Sequence, residues 1–277
     1  MFTVSNTPST TETELGELSF WQSLMIQKRV VGALLMREIL TRYGRHNIGF
    51  MWLFAEPMTF TLGVTVLWNV TNHHTADGIS ITAFVLTGYS MLLLWRNMPG
   101  RCVGAIGPNA SLLFHRQVKP MDVFLSRLML EALGATISFV ILSFLFISLG
   151  LVKPPHDILV VFEGWMLLIW YAASISLLVG SLSEKTEIIE RVWHIIQYLM
   201  IPLSGSFFIV DSLPERARAI LLYIPTVNCA EIIREGYFGP GYRWHYDYNY
   251  LLGVNIALLF IGIAQVRDMS RKFTPEA

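Results

Sequence analysis

The chain has 277 residues, 53% of them apolar, and its 20 basic residues balance its 20 acidic ones. A water-soluble domain of this size normally carries more charge, and here the charges cluster between long apolar runs. Zero net charge, with no basic run interleaved with aromatics, gives no support for nucleic-acid binding, and only two cysteines are present, Cys102 and Cys229.

Residues 1–20 hold Glu12, Glu14 and Glu17 with no basic stretch and no apolar core, so they read as a polar cytoplasmic N-terminus rather than a secretory signal. Over 33–45 the helical angle gathers Leu35, Met36, Ile39, Leu40 and Tyr43 on one arc. Arg37, Glu38, Thr41, Arg42 and Arg45 take the other arc, and only Leu34 breaks the pattern. Glu38 precedes Arg42 by four residues, the favourable order for an exposed ion pair. The segment reads as an interfacial helix, serving either as an anchor to anionic lipid or as a mechanical element at the mouth of a pathway.

Apolar runs long enough to cross a bilayer lie at 50–71, 80–98, 121–150, 157–180, 192–211 and 250–267. The expected fold is all-α with six transmembrane helices, in one membrane domain over 21–267 with a cytoplasmic tail at 268–277. Glu56, Glu131 and Glu163 fall inside the expected crossings, where a carboxylate needs a partner or water. Arg127, one turn before Glu131, is the expected partner there; for Glu56 and Glu163, structural pairing and a water-lined pathway remain equal alternatives.

Between the second and third runs, Pro108, Asn109 and Ser111 offer a helix start, Leu112, Leu113 and Phe114 an apolar patch, and Pro120 a stop. A short cytoplasmic helix results, whose patch beside His115, Arg116 and Lys119 suits either docking to another protein or resting in lipid. Residues 211–249 are too polar to cross and too short for a domain, so two short helices dipping into the outer leaflet are expected. At their end Tyr242, Trp244, Tyr246, Tyr248 and Tyr250 alternate with polar residues, the period of an extended strand-like chain. Those aromatics suit an interfacial belt or a platform for sugar rings.

Fifteen of the 20 basic residues fall on the side of the N-terminus and five on the other, which places both termini in the cytoplasm. Cys102 and Cys229 then lie on opposite sides, and no internal disulfide is expected. The nearest approach to a phosphate loop runs from Gly180 to Lys185 and Thr186, but Glu184 stands where a second glycine is required, so the chain itself is not expected to hydrolyse ATP. No HExxH, CxxC or GxSxG occurs. The pair His73–His74 is a poor metal site, and His194 reads as a capping or pairing residue.

The stretch from Leu35 to Trp68, LMREILTRYGRHNIGFMWLFAEPMTFTLGVTVLW, resembles the capsular polysaccharide export permeases of Gram-negative bacteria, a branch of the type-two ABC exporters. The likeness continues through NASLLFHRQVKPMDVFLSR, LSGSFFIVDSLPE and Asn228 to Gly236. It implies a homodimer in the inner membrane, joined to two copies of a separate ABC ATPase that binds ATP and magnesium, with no cofactor in this chain. The cargo implied is a lipid-linked, usually acidic, polysaccharide, handed on to periplasmic and outer-membrane polysaccharide export proteins. Residues 33–45, with Arg37, Arg42, Tyr43 and Arg45, become a gate helix. Residues 109–119, with Asn109, Leu112, Phe114, His115 and Arg116, become the coupling helix that meets the ATPase, and 211–249 the re-entrant periplasmic helices.

An acidic polymer arriving from the cytoplasm is drawn to cations, and Arg37, Arg42, Arg45, Arg96 and Arg101 are available at that mouth. Trp52, Trp68, Tyr89, Trp95, Trp165, Trp170 and Tyr171 are candidates for an aromatic lining to the pathway, with Tyr242, Trp244 and Tyr246 at its outer end. Alternatives are a permease for O-antigen, teichoic acid or a small molecule, and, from another class, a membrane enzyme acting on lipid-linked sugar.

Overall fold

The computed structural model describes residues 20–43, 51–71, 79–113 and 118–271. Ten α-helices and no strand occur among them: α1 Phe20–Tyr43, α2 Trp52–Val70, α3 Ile81–Cys102, α4 Ala110–Leu113, α5 Pro120–Ser148, α6 Ile158–Ser183, α7 Glu187–Leu203, α8 Glu215–Leu221, α9 Pro225–Phe238 and α10 Tyr248–Ser270. Of these, α5, α6 and α10 are long and apolar enough to cross a membrane.

In lipid the tails are as apolar as leucine, so helices are held together by close packing and polar cross-links rather than by expulsion of water. Helix α6 sits at the centre, packed against α3, α9 and α10. Its Gly164 lets α9 approach until an added Cβ would meet Ile233 at 2.8 Å. Trp165 stacks on Phe139 of α5 at 4.6 Å and donates its indole N–H to Thr136 at 2.9 Å, so its polar end is satisfied inside the core. Asp157 and Asp247 accept backbone N–H groups at the starts of α6 and α10, the use expected of Asp at a helix N-cap.

The apolar run at 192–211 differs from its expected span. Its helix begins earlier, at Glu187, and stops at Leu203, because Gly205 adopts φ +83 and turns the chain. That turn is bound from α9. Arg234, only 1% exposed, donates to the carbonyls of Gly205 at 2.7 Å, Ser206 at 2.8 Å and Phe208, while its guanidinium carbon lies 4.3 Å from the Phe84 ring centre. One turn earlier in α9, Glu231 accepts N–H groups from Val210 and His245, both at 3.2 Å. Burial pushes the Glu231 carboxyl above its ordinary range, opposed chiefly by the charge of Arg234. A Cβ on Gly88 would lie 2.3 Å from the Ser206 carbonyl oxygen, so α3 fits beneath this turn only with glycine there.

Two short helices, α8 and α9, thus occupy the expected re-entrant segment, but α9 is deeply buried rather than peripheral. The aromatic run is extended over 243–247 and helical from Tyr248. Trp244 stacks with Phe238 at 6.3 Å, and Tyr246 meets Tyr248 at 4.9 Å, so the rings pack on one another as a half-buried cluster.

Arg234→Met would leave three carbonyls without their donor and Glu231 without the charge that chiefly offsets its burial, costing roughly 3–5 kcal/mol. We expect the inactivation temperature of the purified protein to fall by several degrees, with Arg234→Lys in between; an unshifted melt for Arg234→Met would show that the turn is held by other contacts.

Candidate functional site

Along α3, Tyr89, Leu93, Arg96, Asn97, Gly100 and Arg101 recur at helical spacing on one face, while Met91, Leu94, Trp95, Met98 and Cys102 face the core. The first set forms one wall of a cleft of about 390 Å³. Glu56, Pro57 and Phe60 of α2 and His194, Gln197 and Tyr198 of α7 form the other walls. The Arg96 guanidinium lies 5.3 Å from the Tyr198 ring centre, a cation–π contact, and its carbonyl accepts from Gln197 at 2.8 Å. Gln197 is therefore the bolt between α7 and α3.

Of the residues expected on a pathway, Arg96, Arg101 and Tyr89 line this cleft. Trp95 and Trp165 are core residues, 4% and 3% exposed. Trp52 is exposed at the start of α2, and Trp68 packs between Phe84 and Phe207 at the opposite end of α3. Trp170 and Tyr171 are half-buried in α6 away from the cleft, as are Tyr242, Trp244 and Tyr246 in the cluster described above. Glu56, for which a water-lined pathway is one of two alternatives, lies on the lining; Phe60, Asn97, Gln197 and Tyr198 join it without having been singled out, and His194 takes a wall position rather than a cap.

Beside the cleft lies a charge network joining three helices. Helix α1 presents Leu34, Glu38, Ile39 and Arg42 to the bundle and leaves Met36 and Leu40 exposed. The face expected to be polar and solvated is therefore partly turned inward, and Leu34, the exception to the pattern, is among the most buried residues of the helix. Its charges are tolerated there because each finds a partner. Arg42 pairs with Glu38 at 2.9 Å and with Glu131 of α5, Arg127 pairs with Glu38 at 3.2 Å, and Arg101 reaches Glu131 at 3.4 Å. Glu131 is thus not bound by Arg127, its expected partner; Arg127 turns instead to Glu38 and to the carbonyl of Arg101 at 2.7 Å. Gln27 adds a further tie, donating to buried Asp122 at the start of α5 at 3.0 Å.

The short connection after α3 is clasped from both sides. A 3-10 turn at Gly107–Asn109 leads into α4, and Pro120, expected as a stop, begins α5. Asn109 is buried, donating to the carbonyl of Ala105 at 2.8 Å and accepting from Arg37 of α1 at 2.7 Å. From the α6–α7 turn, Glu184 accepts the N–H of Ile106 at 2.9 Å and Ser183 that of Gly104 at 3.2 Å. The carboxylate that spoils a phosphate loop therefore has a structural task. Leu113 is buried and Leu112 packs on the core, leaving Gly107, Pro108 and Ser111 outward. Arg45, Phe114, His115 and Arg116, with His73 and His74, lie outside the described residues, as does the side chain of Tyr43.

Relatives of known designation share this layout of sequence. The chain is 42% identical to the Capsule polysaccharide export inner-membrane protein CtrC of Neisseria meningitidis serogroup A, over 95% of this chain and 99% of that protein. It is 35% identical to the Capsule polysaccharide export inner-membrane protein BexB of Haemophilus influenzae, over 94% and 98%. With the Polysialic acid transport protein KpsM of Escherichia coli it shares 30% identity over 87% and 94%. Residues 29–238 match the ABC-2 type transporter family of membrane proteins, and the chain belongs to that family.

Proposed function

We propose that this chain is the inner-membrane permease of an ATP-driven exporter carrying lipid-linked, acidic capsular polysaccharide from cytoplasm to periplasm. The observation that carries the reading is the near end-to-end likeness to inner-membrane proteins named for capsule polysaccharide export. The cleft adds its own support, since it sets two arginines beside polar and aromatic side chains, a lining suited to an anionic sugar chain.

In this reading α2, α3, α5, α6, α7 and α10 are the six crossings, both termini are cytoplasmic, and the arginine-rich end of the bundle faces the cytoplasm. Two copies assemble with two ABC ATPases, which bind ATP and magnesium; this chain transports without being an enzyme. Helix α1 is the gate helix, the stretch around Asn109 meets the ATPase, and α8 and α9 close the periplasmic end, where periplasmic and outer-membrane export proteins receive the polymer.

A carboxylate of the polymer about 4 Å from a guanidinium gains roughly 4 kcal/mol at an effective dielectric near 20, before desolvation is subtracted. Reversing both charges turns that attraction into repulsion. Arg96→Glu with Arg101→Glu should therefore reduce export of an acidic polymer by tenfold or more, on the order of 1.4 kcal/mol or greater, while the protein still inserts. Export at the normal rate by an inserted double mutant would reject the cationic mouth.

The outward residues of the 104–113 segment generate a second expectation. Ser111→Trp places bulk on its exposed side without disturbing buried Asn109 or Leu113. Co-purification of the ATPase with the permease should fall several-fold, and unchanged recovery of the complex would move the ATPase contact elsewhere.

A further inference from the structure

Three arginines, Arg42, Arg101 and Arg127, meet only two carboxylates, Glu38 and Glu131, so the network carries one surplus positive charge. The members are not equally held. Arg42 and Arg127 are 13% exposed and bound closely, whereas Arg101 is 42% exposed, reaches Glu131 at the longest distance of the set, 3.4 Å, and faces the cleft. Its ion pair is the weakest of the group, because solvent screens it and its geometry is loose. It is the cation free to turn toward an anion in the cleft.

Both guanidiniums reach the same oxygen, Oε1 of Glu131. Two cations sharing one acceptor each receive less than either would alone, so removing one strengthens the other. Arg42 stands on α1, and five residues earlier on the same helix Arg37 holds Asn109. The cleft, α1 and the 104–113 segment are therefore joined by polar contacts from Arg101 through Glu131 to Arg42, by the helix from Arg42 to Arg37, and by the hydrogen bond from Arg37 to Asn109.

We propose that Glu131 is a positioning residue shared between the mouth and α1, so that an anionic sugar drawing Arg101 away leaves Glu131 wholly to Arg42 and tightens α1 against α5. This rests on the reading of the cleft as an acidic-polymer mouth. Occupancy of the cleft is then felt at Asn109 through Arg37, without any contact between sugar and α1. The coupling is one of equilibrium: the anion binds better when α1 is seated, and a bound anion favours the seated helix by the same factor.

The experiment is amide hydrogen exchange over residues 30–43 in the permease assembled with its ATPase. The probe is a polygalacturonate oligomer at low ionic strength, with a dextran oligomer of equal length as the neutral control. In the unaltered protein polygalacturonate should slow exchange of α1 by about threefold or more, and dextran should not. Arg101→Gln removes the competitor, so its α1 should exchange as slowly without sugar as the unaltered protein does with polygalacturonate, and should respond no further. Glu131→Gln should exchange fast in both conditions. Exchange in Glu131→Gln slowed as strongly as in the unaltered protein, or a sugar-free Arg101→Gln protein matching the sugar-free unaltered one, overturns the sharing. Because the sugar-free comparison needs no ligand, it judges the sharing even where polygalacturonate leaves the unaltered protein unchanged, a result that would sink the acidic-polymer mouth alone.

Discussion

A guanidinium buried in a bundle must find its partners within the chain, and the two terminal nitrogens of Arg234 do so by collecting the carbonyl groups of Gly205, Ser206 and Phe208 from the turn after α7. The chain cannot continue α7 as a helix and also offer those carbonyls. The break at Gly205, the burial of α9 and the glycine at position 88 are thus one arrangement, since each exists only if the others do. Through it, the end of the molecule opposite the cleft is closed by polar contacts rather than by apolar packing alone.

The other end is organised by charge. There the partners are long side chains on separate helices, and the surplus of one arginine leaves Arg101 loosely held at the cleft while Arg42 and Arg127 are bound inside. Fixed carbonyls at one end and exchangeable carboxylates at the other give the two ends different mechanical character. Carbonyls of a folded turn cannot be surrendered without unfolding it, whereas a carboxylate shared by two cations can shift from one to the other at small cost.

Much of this was legible in the residues. The apolar runs around α2, α3, α5, α6 and α10 begin and end within a few positions of their helices, because hydropathy over some 20 residues is a strong signal. The pairing of Glu38 with Arg42 followed from spacing alone, and Arg96 and Arg101, grouped by their sequence, line one cleft. What the sequence hid was direction. The helical arc over 33–45 separated polar from apolar residues correctly, but when a charged face finds charges opposite it, polarity no longer marks the outside. Likewise Trp95 and Trp165 resemble lining residues by type and pack as core by position, since aromatic rings serve both ends. The task of Arg234 left no mark, because its acceptors, backbone carbonyls, carry no signature in a sequence.

The same contrast decides which wall of the cleft can move. Helix α3 is buried along most of its length, wedged under the Ser206 carbonyl at Gly88 and packed on α6, and its cleft residues run from Tyr89, next to that wedge, to Arg101, about 20 Å further along the same rod. Helix α7, by contrast, buries only Trp193 and Gln197, and leaves Ile188, Val192, Ile195, Tyr198 and Leu199 outward. A rod pinned at its far end and along its side cannot swing without breaking the Arg234 turn. Helix α7 is anchored at its end, where Met200 and Ile201 pack on the core and the chain enters the Arg234 turn, but beside the cleft it buries only Trp193 and Gln197, so that part can swing, and with it goes the Tyr198 ring on which Arg96 rests. A wider cleft would thus come at least cost from displacing α7 from α3, which would break the Gln197 hydrogen bond to the Arg96 carbonyl.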